Sequence, residues 1–122
     1  MGNLKNAGKP HKRLKLWGKS MNFIALLYKK LEKFPPEELY GLTSQMKRSA
    51  ISIPSNIAEG AARHSRKEYK HFLHISRGSI GELDAQLEIA KTLKLLNKED
   101  YQELMDCLNE IGRMLTGLLK SL

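Results

Sequence analysis

The chain has 122 residues and a formal net charge of +8, and 41% of its residues are hydrophobic. This length suits one domain and is short for two, since domains usually hold about 100 to 150 residues. Aromatic residues make up only 7% of the chain, a composition that favours helices over an all-β sandwich or barrel. Cys107 is the single cysteine, so one copy forms no internal disulfide and no multi-cysteine zinc site.

No segment of the sequence has the length and apolarity of a membrane span. The longest apolar run has six residues, from Phe23 to Tyr28, whereas a transmembrane helix needs about 20. Lys29 and Lys30 follow it directly and no small-residue cleavage site is present, which argues against a signal peptide. We therefore expect a protein of the reducing cytoplasm, with no membrane partner.

Residues 1–13 lack a helical pattern. They include two glycines, a proline and few apolar side chains, so their folding would not offset the loss of conformational entropy. Residues 1–19 hold six Lys or Arg and no acidic residue. We expect a flexible basic N-terminal arm at 1–13, followed by a single folded domain at 14–122.

Four helices are predicted within this domain, because apolar residues recur there at alternating steps of three and four. The predicted helices span about 16–34, 37–62, 65–95 and 98–121. The second contains Pro54, which removes one backbone hydrogen bond and collides with the carbonyl of Ala50. The apolar phase continues to Ile57, so a kinked helix is favoured over one that stops at the proline.

The last two helices begin with capping signals. Ser65 and Glu68 have the spacing of a capping box, and Asn97 can cap the fourth helix. The seam from Tyr101 to Leu122 repeats at three and four, which predicts left-handed packing at a small angle, and short links make neighbouring helices antiparallel. The predicted fold is an all-α, antiparallel, up-down, left-handed four-helix bundle.

Small residues cluster on the third and fourth predicted helices. Glycine inside a helix costs roughly 1 kcal/mol relative to alanine, so these positions suggest close backbone approach, either within one chain or between subunits. The alternative interpretation is that these small residues only make the two helices locally weak, without any close approach. The residues are Ser76, Gly78, Ser79, Gly81, Gly112 and Gly117.

Catalytic and metal-binding patterns are weak. Glu68 and His71 have the Glu-x-x-His spacing of two-metal bundles, but the sequence has no second such pair. His71 and His74 lie among basic residues, so a solvated basic face is favoured over a metal site. The sequence also has no Gly-x-Ser-x-Gly elbow or Gly-rich phosphate loop. It therefore predicts no enzyme, no metal and no cofactor.

A second concentration of positive charge lies at residues 63–78, whose net charge is +4. Steps of three and four place many of these cations on one helical face, where they can meet successive phosphates. We therefore expect a nucleic acid, RNA or DNA, bound through its backbone with little reading of sequence. Tyr69 and Phe72 adjoin these cations and either stack on bases or belong to the core. The predicted binding residues are Lys12, Arg13, Lys15, Lys47, Arg48, Arg63, Arg66, Lys67, Lys70, His71, His74 and Arg77.

Several strings of the sequence resemble one bacterial family. They are Leu16-Trp17, Phe34-Pro35, Tyr40-Gly41-Leu42-Thr43-Ser44-Gln45, Ser52-Ile53-Pro54-Ser55-Asn56-Ile57-Ala58-Glu59-Gly60 with Arg63, and Gly78-Ser79 before Glu82-Leu83. On these residues, the chain resembles over about 14–122 the four-helix-bundle proteins encoded in intervening sequences of 23S ribosomal RNA genes. That family is similar to the accessory variability determinant of diversity-generating retroelements, a basic pentamer that works with a reverse transcriptase and its RNA.

The resemblance implies a homo-oligomer, expected to be a pentamer, with a positive surface for RNA or DNA and no catalysis of its own. A retroelement accessory factor that binds a reverse transcriptase is one alternative, and a protein scaffold without nucleic acid is another. Asn56 and Glu59, in the longest matching string, either line a functional groove or bond to backbone around Pro54.

Overall fold

The computed structural model of the chain describes His11 and residues 14–122. No strand occurs among these residues, so the all-α prediction is confirmed. Apart from His11, the predicted arm at 1–13 lies outside the described residues. The elements are α1 Lys15–Leu31, a 3-10 turn Pro36–Glu38, α2 Leu42–Ala61, α3 Arg66–Thr92 and α4 Lys98–Ser121.

The four helices form a closed ring in which α1 packs on α2, α2 on α3, α3 on α4 and α4 on α1. Neighbours run antiparallel: Lys19, near the start of α1, pairs with Glu110 in the middle of α4, whereas Lys30, near the end of α1, pairs with Glu103, near the start of α4. At one end of the bundle, α1 and α3 begin while α2 and α4 end. We call this the turn end, because the α2–α3 turn at 62–65 lies there. The left-handed twist stays a prediction.

Apolar side chains from all four helices fill the centre of the bundle. Full burial of one such side chain contributes roughly 1.5 to 3 kcal/mol to folding, so this core is the main source of stability. The largest fully buried residues are Phe23, Leu27, Met46, Ile53, Ile57, Leu73, Leu83, Leu87, Leu104, Leu108, Ile111 and Leu115.

The start of α2 differs from the prediction. A helix was expected from about residue 37, but the chain forms a 3-10 turn there and α2 begins at Leu42. Gly41 separates the two, because its backbone angles, φ −113° and ψ −113°, are not helical. The Glu38 carboxylate then accepts a hydrogen bond from the Leu42 N–H at 3.4 Å, which satisfies one free donor at the helix start.

Helix α3 ends three residues before the predicted 95, at a defined backbone motif. Lys94 has a positive φ of 61°, the left-handed conformation that commonly terminates helices. The Leu95 N–H donates to the Ala90 carbonyl at 2.9 Å, and the Lys94 N–H donates to the Lys91 carbonyl at 3.0 Å. These two bonds form a Schellman motif, built here on a lysine where glycine is usual.

Both predicted N-caps are present. The Ser65 hydroxyl accepts from the Glu68 N–H at 3.0 Å and donates to the Glu68 carboxylate at 3.3 Å. At the start of α4, the Asn97 side-chain oxygen accepts from the Asp100 N–H at 2.7 Å. Each cap satisfies a backbone donor that the first helical turn leaves free.

Helix α2 runs through Pro54 without interruption, so it does not stop at the proline; the kink at Pro54 stays a prediction. Beside the proline, the buried Ser76 hydroxyl of α3 donates to the Ile53 carbonyl at 2.8 Å. The Ser79 hydroxyl donates to Ser52 Oγ, also at 2.8 Å. Two of the clustered small residues, Ser76 and Ser79, therefore serve the α2–α3 contact within one chain, which is the first of the two alternatives.

Helices α2 and α3 approach each other closely at Gly60, near the turn end. A Cβ atom added at Gly60 would lie 3.0 Å from the Phe72 Cβ and 3.2 Å from the Tyr69 carbonyl oxygen. Neither atom can rotate away, so a methyl group at this position would require the two helices to shift by a few tenths of an ångström. Gly78, by contrast, has open space around the position of a Cβ.

A compact ion cluster joins the end of α1 to the start of α4. Lys30 Nζ lies 2.9 Å from Asp100 Oδ1 and 3.0 Å from Glu103 Oε1, and Lys33 Nζ lies 3.4 Å from Asp100 Oδ2. The Asp100 side chain is mostly buried. The hydrogen bond from Lys30 lowers the pKa of this carboxyl below its ordinary value, and it outweighs the opposite effect of burial.

We predict that Gly60→Ala destabilises the bundle, whereas Gly78→Ala stabilises it. At position 60 the methyl group overpacks the α2–α3 contact at a cost of roughly 1 to 3 kcal/mol. The gain of up to roughly 1 kcal/mol from better helix propensity is small there, because Gly60 lies in the last turn of α2. Only that gain applies at position 78. Urea unfolding followed by circular dichroism measures both, and unchanged or increased stability of Gly60→Ala would contradict the close approach.

We predict that Lys30→Met weakens the acid dependence of stability. Because the folded-state pKa of Asp100 is lowered, its contribution is complete above the unfolded carboxyl pKa of about 3.9 and is lost as the pH falls through the folded value. Melting temperatures measured from about pH 5 to about pH 2 should therefore fall less steeply in Lys30→Met than in the native chain. Lys19→Met removes an exposed ion pair and serves as the control, with little change expected. Identical profiles for Lys30→Met and the native chain would refute this role of the cluster.

Candidate nucleic-acid interface

The first half of α3 carries a strong excess of positive charge. Residues 66–77 hold four Lys or Arg and one Glu. Arg66, Lys67 and Arg77 are exposed, and Lys70 is half-buried. Residues 78–110 hold eight acidic residues and three Lys, so the charge of the α3–α4 pair changes sign along the bundle.

A basic groove runs between α3 and α4 from the middle of the bundle towards the turn end. Its volume is about 550 Å³, and its cations are Arg77 of α3 with Arg113 and Lys120 of α4. Among the described residues, no carboxylate lines it. Gly112 and Gly117 also line this groove, where larger side chains would fill it. The structure thus joins one predicted binding residue to two cations that sequence reasoning missed.

A signal for the two missed cations is present in the sequence. Residues 111–122 contain Arg113 and Lys120 and no acidic residue. A separation of seven residues returns to the same face of a helix, so both side chains lie on one side of α4. The spacing alone does not show that Arg77 lies on the facing helix, which is a tertiary relation.

Arg63 is engaged in contacts within the chain. Its guanidinium nitrogens lie 3.2 Å from the Glu59 carboxylate and 3.7 Å from that of Glu68, and the group sits 4.9 Å from the centroid of the Phe72 ring. Two carboxylates therefore already neutralise this predicted binding residue. Its contacts fix the turn that leads into α3.

Lys47 and Arg48 lie apart from the other predicted binding residues. They are in the first half of α2, about 20 Å along the helix from its end at the turn. Lys47 Nζ lies 4.6 Å from the centroid of the Tyr28 ring. Arg48 donates a hydrogen bond to Ser44 Oγ at 3.3 Å and faces a different groove, between α2 and α3. The structure does not bring these two together with the cations of α3.

Of the predicted residues near the beginning of the chain, Lys15 is exposed in the first turn of α1, at the turn end. Lys12 and Arg13 lie outside the described residues. The contribution of these two cations stays a prediction.

The two predicted histidines contact neighbours on α3. His74 Nδ1 lies 3.1 Å from the Arg77 guanidinium, and the His71 ring packs edge-on against Phe72, with centroids 5.2 Å apart. In the described part of the chain, no three His, Cys, Asp or Glu side chains converge as metal ligands. Both rings lie on the basic half of α3, where they extend the polar surface.

Tyr69 and Phe72 are half-buried and pack against Gly60 of α2. Burial raises the pKa of the Tyr69 hydroxyl above its usual value. These contacts agree with the interpretation in which both rings pack inside the protein, and not with the one in which they stack on bases. Their rings stabilise the helix pair that presents the cations.

Asn56 bonds within α2, as its structural alternative predicts. Its side-chain N–H group donates to the Ser52 carbonyl at 2.8 Å and to Ser52 Oγ at 2.9 Å, just before Pro54. Glu59 pairs with Arg63 rather than with backbone around the proline.

None of the described helices has the length and apolarity to span a bilayer.

Comparisons with known proteins agree with this architecture. The chain is similar to the crystal structure of a protein of unknown function from the S23 ribosomal protein family of Bacteroides thetaiotaomicron, with a TM-score of 0.80 and 24% identity over 86% of this chain and 95% of that one. At that identity the likeness shows the fold alone. The comparison with curated proteins gave no match. The family model described as 23S rRNA-intervening sequence protein matches residues 12–117, and the chain therefore belongs to that family.

Proposed function

We propose that the chain is a non-enzymatic protein that binds RNA or DNA through the phosphate backbone. The observation that carries the proposal is the basic groove, where Arg77, Arg113 and Lys120 line one cleft without a neutralising carboxylate among the described residues. Arg66 and Lys67 extend this positive surface to the turn end. Cations of this kind bind phosphates by releasing counterions and carry little sequence information.

The distribution of charge also orients the ligand. The acidic residues of 78–110 lie on the remaining part of α3 and the first half of α4, and they repel a phosphate backbone. A strand in the basic groove is therefore held towards the turn end. This segregation of charge raises the local concentration of a polyanion on one side of the molecule.

We predict that the double variant Arg77→Glu/Arg113→Glu loses most of its affinity for RNA and DNA, as does Arg66→Glu/Lys70→Glu. Each phosphate contact contributes roughly 0.7 to 0.9 to the slope of log affinity against log salt, so loss of two contacts should lower that slope by about 1.4 to 1.8. Fluorescence anisotropy with labelled single strands and duplexes, at several salt concentrations, measures both quantities.

A matched control for these variants is Lys94→Glu/Lys98→Glu. It makes the same change of net charge at the opposite end of α3 and α4, so it separates a local contact from an effect of total charge. We expect it to retain most of the affinity. Salt-insensitive binding by the native chain, or equal losses in the control and in the groove variants, would overturn the proposal.

We further propose that the chain assembles as a homo-oligomer, with a pentamer as the expectation from the family resemblance. An apolar groove of about 350 Å³ lies between α1 and α2, and no charged side chain is among its lining residues. Met21 and Ile51 at this groove are 42% and 46% exposed, which suits burial against a second copy. A reverse-transcriptase partner and a cytoplasmic location stay predictions.

We predict a sedimentation mass several times the 13.9 kDa of one chain, and a smaller mass for Ile51→Glu because the added charge opposes burial of the apolar groove. Ile89→Glu alters a similarly exposed isoleucine on α3 and should leave the mass unchanged. A clean monomer of the native chain at tens of micromolar would remove the assembly proposal.

A further inference from the structure

The basic groove has an apolar floor beneath its cations. Ile80 of α3 is only partly buried against the core, and it lines the groove together with Gly112 and Gly117 of α4. We call these three residues the floor. The three cations of the groove are all exposed, so they stand above it. The groove therefore offers apolar contact in addition to positive charge, and a ligand that touched only the cations would leave the floor to water.

Helix packing does not require the two glycines of the floor. A Cβ atom added at Gly112 would lie 4.0 Å from Ile80 Cγ2, an ordinary van der Waals contact. One added at Gly117 would meet nothing within 4 Å apart from the local backbone of α4. Because glycine weakens a helix, its presence there usually has a packing or a functional reason. With packing set aside, the glycines leave open space in which a ligand can approach the backbone closely.

This open space lies between cations. Arg113 and Lys120 are seven residues apart on one side of α4, a distance of about 10 Å along the helix, and Gly117 lies between them. Arg77 lines the same cleft from α3. Phosphates bound to these cations would bring the sugars and bases of the same nucleotides over the floor.

Single strands and duplexes differ in what they can place on an apolar floor. In a duplex the faces of the bases are covered by stacking, whereas the unpaired bases of a single strand can turn outwards and lie against apolar side chains. The axes of packed helices lie about 8 to 10 Å apart, so a cleft between them admits one strand and not a duplex. A duplex can therefore reach the cations with its phosphates but cannot cover the floor.

We propose that the basic groove selects single-stranded nucleic acid, whose unpaired bases lie on the floor while its phosphates contact the cations. The inference rests on the proposed function and adds the class of nucleic acid that the groove takes. Electrostatics alone favours the opposite order, because a phosphate contact releases more counterions from a duplex, about 0.9 against about 0.7 from a single strand. A preference for single strands is therefore a sign of base contacts and not of charge.

Fluorescence anisotropy of the full chain with three labelled ligands tests the proposal. One is a short strand of A and C, which does not pair with itself, and another is the same strand annealed to its complement. The third carries the same number of phosphates on abasic sugars. We expect the single strand to bind more tightly than the duplex, and at least about 5-fold more tightly than the abasic strand, the lower end of the range for one stacked base.

The variant Gly112→Gln/Gly117→Gln covers the floor with polar side chains and leaves every charge in place. It should lower the affinity for the single strand to that for the abasic strand, while salt-dependent binding of the duplex persists. Gly117→Gln alone introduces the change where the space is open and should act in the same direction. Gly78→Gln makes the same substitution at an open glycine of α3 that does not line the groove, and it should keep the preference. Circular dichroism checks the fold of each variant.

Failure of this inference differs from failure of the proposed function. If bases do not enter the groove, all three ligands still bind with a steep salt dependence, but the duplex and the abasic strand bind at least as tightly as the single strand, or the glycine variants keep the preference. Any of these results would overturn the inference alone. If the groove does not bind phosphates, the affinities are insensitive to salt and to Arg77→Glu/Arg113→Glu, and both proposals are wrong.

Discussion

The close approach of α2 and α3 is the constraint on which the rest of the bundle depends. Gly60 brings the two backbones together near the turn, and Ser76 then bonds to the Ile53 carbonyl beside Pro54. A polar bond inside the core is tolerated because both partners are satisfied. Helix α3 also packs on α4 and lines the basic groove with it. The basic groove therefore depends on how tightly α2 and α3 are packed.

The placement of charge on α3 opposes the stability of that helix. Arg66 and Lys67 occupy its first turn, where the helix dipole favours acidic side chains and disfavours cations. Glu68 and the Ser65 cap offset part of this cost. Cations at such a position do not stabilise the helix, and their placement agrees with the proposed polyanion ligand. A sequence that opposes the local stability of its own helix is typical of functional sites.

Much of the fold could be predicted because it depends on local signals. The period of the apolar residues identified four helices, and Ser65 and Asn97 marked two of their starts. On α1 the adjacent residues Phe23 and Ile24 are both apolar, but Phe23 is fully buried and Ile24 only partly buried, a difference that the apolar period alone does not show. No local sequence pattern indicates the non-helical backbone angles of Gly41, after which α2 begins. The basic groove was found only in part, because a helix period shows which residues of α4 share a face but not which residues of α3 lie opposite.

The polarity of the bundle also affects how the protein should be handled in the laboratory. Because α1 begins and α4 finishes at the turn end, a purification tag or surface linker fused to either terminus of the helical domain sits at the end of the bundle towards which the basic groove runs. The loop at 93–97 lies at the other pole. A fluorophore or immobilisation handle attached there leaves the cleft unobstructed, so the site of attachment decides whether an immobilised sample reports on the free surface.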